Sequence, residues 1–500
     1  MTESTRLMYV PEPDLLFRSE QRAEDARDGL ALFGPLDAGK PYGMRIGVVG
    51  APEGIDLYRK WVRRVVEPVV PAGPIASHPV FPGFEAAFGI GWACEPTITA
   101  EINRLQILKS VGIPDQHQRV FQTVELFTSK IADARRRFEE AVDLWYVVIP
   151  DEVYLYCRPQ SRINDELRTE NPFEMNPKLA RVLRSQRSMF EEDNRAAEVY
   201  SYEVDFHHQL KARLLGTNAP TQVVKESTLR RGASLDGADA NAAAAIAWNL
   251  TSAAFYKAGG RPWKAGAVRD GVCYIGLVFK EDASASDGRS ACCAAQMFID
   301  SGDGFVFRSA HAGLRAQRKG SFHLSREGAS DVLRTALDAY REQRNAWPTE
   351  VFVHGRVRFD HDEWEGFASA APSGTAVTGV SIRDSHELKL YRQSKYPVLR
   401  GLALSLNARS SLLWTRGYVP RLMTYPGLEV PNPLAVTITH GDSDPRVVLA
   451  DILALTKLNY NACIHSDGLP VTLKFADAVG EILTAAPRIE RPPLPFKHYI

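Results

Sequence analysis

Two short stretches hold residues whose types and spacing suit the capture of an anion. The first is Phe206-His207-His208-Gln209-Leu210-Lys211-Ala212-Arg213-Leu214-Leu215. His207 and Lys211 lie four apart, on one face of a helix. The second is Thr221-Gln222-Val223-Val224-Lys225, a short strand carrying Gln222. Further on, Asn241 to Lys257 reads as a long helix that stops at Gly259-Gly260 and places Lys257 at its end. An imidazole, two ammonium groups and an amide converging from two helices and a strand would suit a terminal phosphate, which needs several oxygens satisfied. On spacing alone the simpler reading is an amphipathic helix with a solvated basic face.

Other patterns carry less. Gly47, Gly50 and Gly54 follow a strand, but the spacing is not GxGxxG, and an ordinary strand-to-helix turn accounts for them. Histidine and acid neighbours occur at His354 with Asp360-His361-Asp362, at His440-Gly441-Asp442 and at His465-Ser466-Asp467. None has the HExxH form or a second ligand pair at a standard spacing. Asp442 and Ser443 precede a helix, so capping is the better account of them. There is no GxSxG elbow and no GxxxxGK[ST] loop. The six cysteines form no CxxC pair, which argues against a zinc ribbon or a redox motif.

The elements that must position these residues read as α/β. Apolar runs such as Met44 to Val49, Leu144 to Ile149 and Val272 to Phe279 alternate with amphipathic stretches such as Ile55 to Val66, Thr128 to Val142 and Ser325 to Asn345. Further strands are expected at Glu350 to Val353, Val377 to Ile382, Leu388 to Tyr391 and Val436 to Thr439. Helices are expected at Asp362 to Ser369, Pro445 to Tyr460 and Leu469 to Thr484. The 500 residues carry 60 Lys+Arg against 60 Asp+Glu, so any positive surface must be local and offset elsewhere. The 45% apolar and 24% charged content is that of an ordinary globular chain rather than a disordered one. No apolar run is long enough to span a membrane, and the N-terminus lacks the bases and apolar core of a signal peptide. The expectation is a soluble, cytoplasmic protein with its main boundary near Trp263.

From about Phe33 onward the chain resembles the short prokaryotic Argonautes, which consist of a MID and a PIWI domain. The resemblance rests on FHHQLKARLL…PTQVVKESTL, AAIAWNLTSAAFYKAGGRPW, VCYIGLVF, and LTKLNYNA…GLPVTLKFADAVGEIL, in that order and spacing. It implies a Rossmann-like MID domain at residues 41–263 and a ribonuclease-H-like PIWI domain at 264–500, after an arm of residues 1–40. It also implies a pocket for the 5′-phosphate of a small guide strand at His207, Lys211, Gln222 and Lys257. Many relatives carry one more lysine where this chain has Ala253. A Mg²⁺ ion held with the help of the C-terminal carboxylate at Ile500 would compensate for that missing charge.

Slicing relatives hold two metal ions with three acids and a fourth Asp or His. The matching positions here are Val278, Gly355 and Asp477, so only the last is acidic, and Asp477 also reads as an ordinary surface helix residue. The resemblance therefore implies a PIWI domain that does not cleave and a chain that is not an enzyme. Its expected partners are a small guide RNA, a single-stranded DNA target and, as a heterodimer, an analog-of-PAZ effector protein bearing a TIR, sirtuin-like or nuclease domain. Target recognition would activate that effector in prokaryotic immunity, depleting NAD or otherwise killing or arresting the invaded cell, with a higher oligomer left open. Two alternatives stay open: an active nuclease whose acids lie among Asp300, Asp303, Asp360 and Asp362, and an unguided nucleic-acid-binding scaffold.

Overall fold

A computed structural model describes residues 6–74, 76–138, 141–217, 219–281, 291–299, 304–308, 314–318, 321–425, 427–487 and 494–500. The first half is built on a four-stranded parallel sheet. Its order is Ile98–Glu101, Ile46–Gly50, Leu144–Ile149, Thr221–Lys225. The two central strands are buried along their whole length, as in a parallel sheet covered on both faces. On one face Val49, Trp145 and Val147 pack against the helices Gln116–Arg137 and Phe206–Leu214. On the other, Val48, Tyr146 and Val148 share a core with the helices Pro52–Val66 and Ala240–Lys257.

The second half is a ten-stranded mixed sheet. At its centre Val272–Glu281, Glu350–Gly355 and Ala376–Asp384 run parallel, and antiparallel strands extend it on both sides. Cys273, Ile275 and Leu277 alternate inward against the helices Arg326–Arg344 and His361–Ala370. The opposite face, with Tyr274 and Phe352, belongs to the core shared with the first half and with the helix Val471–Thr484. Gly276 is what lets that helix approach: a Cβ there would lie 1.8 Å from the carbonyl oxygen of Thr472.

The N-terminal segment is woven into both halves. Arg6–Tyr9 pairs antiparallel with Leu402–Ser405 at one edge of the large sheet. Leu15–Leu16 pairs with Lys264–Ala265. Phe17 is fully buried against Gly29, where a Cβ would overlap its ring.

Several elements differ from the sequence reading. The helix expected from Thr128 spans Gln116–Arg137, because Asp115 caps it two turns or more earlier by accepting from Gln118 N. Pro445–Leu455 ends before Tyr460, where Thr456 and Lys457 turn the chain. Leu388 to Tyr391 forms no strand: Leu388 and Leu390 pack on the small core of Val398, Leu412 and Trp414 as loop residues, between exposed polar neighbours. The helix cap expected from Asp442 and Ser443 is supplied by Asp444, which accepts from Arg446 N. Among the described residues no helix is long and apolar enough to cross a membrane.

Candidate functional site

Lys211 and Lys257 are not on a solvated face. They are 2% and 1% exposed, buried where the two halves of the chain meet. Asp205 starts the helix Phe206–Leu214 by accepting from His208 N, and Phe206, Leu210 and Leu214 fix its inner face in the core. That orientation drives Lys211 inward. Its Nζ donates to the main-chain oxygen of Thr221 at 3.3 Å and to that of Ile500 at 2.5 Å. Lys257, in the last turn of Ala240–Lys257, donates to the same Thr221 oxygen at 3.3 Å, to Gln222 Oε1 at 2.7 Å and to Asn461 Oδ1 at 3.4 Å. Gln222 Nε2 donates to Val223 O. The structure thus brings Lys211, Gln222, Lys257 and Ile500 together in one hydrogen-bonded cluster.

The electrostatics of this pocket are one-sided. Among the described residues no Asp or Glu side chain lies within ion-pair distance of either lysine. Burial pulls the Lys211 ammonium down to about 7. Burial, followed by the charge of Lys211, holds Lys257 well below its ordinary value. Burial disfavours the charged form of both groups, and an anion entering here would favour it. His207, one turn before Lys211, keeps an exposed edge. The protein crowded around its ring, then the charges of Lys211, His208 and Lys257, nevertheless hold its imidazole well below the usual range. A neutral ring offers a flat face and one N–H donor at the mouth of the pocket.

Asn461 is a member that sequence reasoning missed, and the C-terminal run ending in Ile500 completes the cluster. The 3-10 turn Phe496–His498 carries the chain under it, and Phe496, His498, Tyr499 and Ile500 are all buried. Burial, then Lys497 and Lys211, pushes His498 down to about 4. Asn461 and the carbonyl of Thr221 supply acceptors that hold the ammonium groups in register.

No family model matches the sequence, and no curated protein matches it either. Solved structures do. Clostridium butyricum Argonaute bound to a guide DNA and a 19-mer target DNA aligns with a TM-score of 0.63 at 14% identity, over 97% of this chain and 54% of that one. A. aeolicus Argonaute aligns at 0.56 and 14% identity, over 99% and 55%. Drosophila Piwi aligns at 0.56 and 12% identity, over 96% and 54%. The chain has an Argonaute fold, comprising the MID and PIWI lobes. It spans about half the length of the structures it matches.

The positions compared with the slicing acids lie in the PIWI lobe at the carboxyl ends of the central parallel strands. Gly355 ends the strand Glu350–Gly355, and a Cβ there would meet the Phe359 ring at 2.9 Å. Asp477, on the helix Val471–Thr484, is half-buried and pairs with Arg356 Nη2 at 2.6 Å. His354 is buried beside them, within 3.0 Å of Thr472 Oγ1, and burial pushes its imidazole down to about 3. The backbone of Val278 continues the neighbouring strand, while its side chain lies outside the described residues. Asp300 and Asp303 also lie outside them.

Asp360 is committed elsewhere. It caps the helix His361–Ala370 in a reciprocal capping box with Glu363. Glu363 also accepts from Leu324 N at 2.8 Å and sits 2.8 Å from His323 Nδ1. His323, Asp360 and Glu363 could together hold a metal ion, but these carboxylates already have structural partners.

Proposed function

We propose that this chain is the guide-binding subunit of a prokaryotic immune system, holding a 5′-phosphorylated small guide RNA and recognising complementary single-stranded DNA without cutting it. The observation that carries the reading is the pair of buried ammonium groups, Lys211 and Lys257, sharing the Thr221 carbonyl with no Asp or Glu side chain paired to either among the described residues. A phosphate monoester has the charge and the number of oxygens to satisfy both, with Gln222 as a further donor and His207 against the first base. Base pairing to the guide then supplies sequence specificity, while the protein reads backbone and shape.

Absence of cleavage is part of the proposal. One acid cannot hold two metal ions, and Asp477 already shares its charge with Arg356. The consequence of target recognition is then activation of an analog-of-PAZ effector on a partner chain, of TIR, sirtuin-like or nuclease type. Mg²⁺ at the pocket is a separate matter. Ile500 O, Thr221 O, Gln222 Oε1 and Asn461 Oδ1 all accept from ammonium nitrogens. These oxygens are the kind that Mg²⁺ takes, but here they are engaged by the ammonium groups, and the binding mechanism proposed here uses the lysine N–H donors alone.

The test is binding of 5′-phosphorylated against 5′-hydroxyl RNA, with and without Mg²⁺, followed by incubation with complementary DNA. Phosphate preference and an uncut target support the reading. Mg²⁺-dependent cutting would replace it with a guide-directed nuclease, and equal binding of both RNAs with an unguided scaffold.

A further inference from the structure

The ion pair between Arg356 and Asp477 sits where ligands approach an α/β sheet. Arg356 immediately follows the strand Glu350–Gly355, which runs parallel to both Val272–Glu281 and Ala376–Asp384. The carboxyl ends of such strands form the crevice of the sheet. The helix bearing Asp477 closes one side of it.

The arginine's hydrogen-bonding capacity is not used up. Its Nη2 is given to Asp477, but its Nε is buried without a partner. Its side chain is 38% exposed, so the outer edge of the guanidinium is reachable. Two further cations lie on the same stretch of sheet end: Arg358, and Arg383 at the end of the neighbouring strand. Both are exposed and in no ion pair among the described residues. Gly355 and Val278 on the same sheet end carry no charge, while Asp360 and Asp384 lie within two residues of Arg358 and Arg383 in sequence.

We propose that Arg356 is a docking point for one backbone phosphate of the guide–target duplex, and that Asp477 competes with that phosphate for the guanidinium. A planar fork of donors matches a phosphodiester oxygen pair better than a single carboxylate oxygen does. In the free protein Asp477 keeps Arg356 folded against the helix Val471–Thr484. With a duplex present the guanidinium turns to the phosphate and the pair loosens. The proposal rests on the guide-binding reading for the identity of the duplex, but the contact itself requires only a nucleic-acid backbone across the sheet end.

Asp477→Asn and Arg356→Ala both break the ion pair, yet the proposal predicts opposite effects. Binding of complementary DNA to the guide-loaded protein is measured across a salt series, alongside binding of a preformed RNA–DNA duplex to the unloaded protein. Arg356→Ala should weaken both several-fold and lower the salt slope by about one. Asp477→Asn should tighten both, and Arg356→Lys should retain most of the slope but less of the affinity. If both substitutions shift affinity in the same direction, the pair is only a structural brace and the proposal fails. It fails equally if neither changes the affinity or the slope. Guide loading reads Lys211 and Lys257, not Arg356. Loss of phosphate preference with the duplex results intact would overturn the functional reading and leave this contact standing.

Discussion

Among the described residues, two groups of buried cations are satisfied in opposite ways. Lys457, Arg400, His465 and Arg27 surround Glu12 and Asp25 near the N-terminal segment. Arg400 Nε is 2.8 Å from Glu12 Oε2, Lys457 Nζ 2.6 Å from Glu12 Oε1, and Arg27 Nη2 2.8 Å from Asp25 Oδ2. Burial alone would raise Glu12, but Arg400, then His465 and Lys457, hold its carboxyl well below the usual range. Here charge is balanced inside the protein. Around Lys211 and Lys257 no Asp or Glu side chain balances it among the described residues: the ammonium groups face the main-chain oxygens of Thr221 and Ile500 and the amide oxygens of Gln222 and Asn461. Balanced clusters brace a fold. A cluster of one sign, kept buried at a cost, awaits a charge from outside.

The sharpest way to break this contrast is to remove the acid from the balanced cluster. Glu12→Ala leaves Arg400 and Lys457 buried without a counter-charge. Urea unfolding should show a loss of about 3–5 kcal/mol. The opposite holds at the pocket: Lys211→Met with Lys257→Met removes two uncompensated charges. Stability should stay level or rise by about 1–4 kcal/mol while phosphate-dependent RNA binding disappears. A large loss of stability in the methionine variant would put both clusters in the same structural class.

A pH series sharpens the same point. Burial brings Lys211 from its ordinary 10.5 down to about 7 in the folded chain. Between those values the unfolded chain holds a proton that the folded one has released, so stability of the ligand-free protein rises with pH. Below about 7 both states hold the proton and this contribution is flat. A bound phosphate favours the ammonium form, so affinity for 5′-phosphorylated RNA should fall as pH climbs above about 7. Urea midpoints and binding isotherms over that window read both slopes. The smallest effect is expected at the sheet end. Gly355→Asp should leave target DNA uncut in Mg²⁺, since one added acid is still short of a two-metal site. It should also cost about 1–3 kcal/mol through the contact with Phe359.

The central strands and the helices beside them were legible because their periodicity is local: Leu144–Ile149, Phe206–Leu214 and Ala240–Lys257 lie within a residue or two of where the pattern puts them. What was not legible is what distant segments do to them. Lys211 reads as solvated because an amphipathic helix ordinarily turns its charged residues to water. It is buried because Ile500, 289 residues away, lies over it. The strand Arg6–Tyr9 likewise exists through its pairing with Leu402–Ser405. Leu388 to Tyr391 shows the converse: its alternation suits a strand, but its leucines are taken up by a small loop core. The site residues were named by family resemblance, and Asn461 fell outside that pattern.

The most direct test of the account is the affinity difference between 5′-phosphorylated and 5′-hydroxyl RNA, measured on the wild type and on Lys211→Ala/Lys257→Ala. The account predicts a clear preference for the phosphate in the wild type, and none in the double variant at unchanged folding. Equal affinities in the wild type would contradict it.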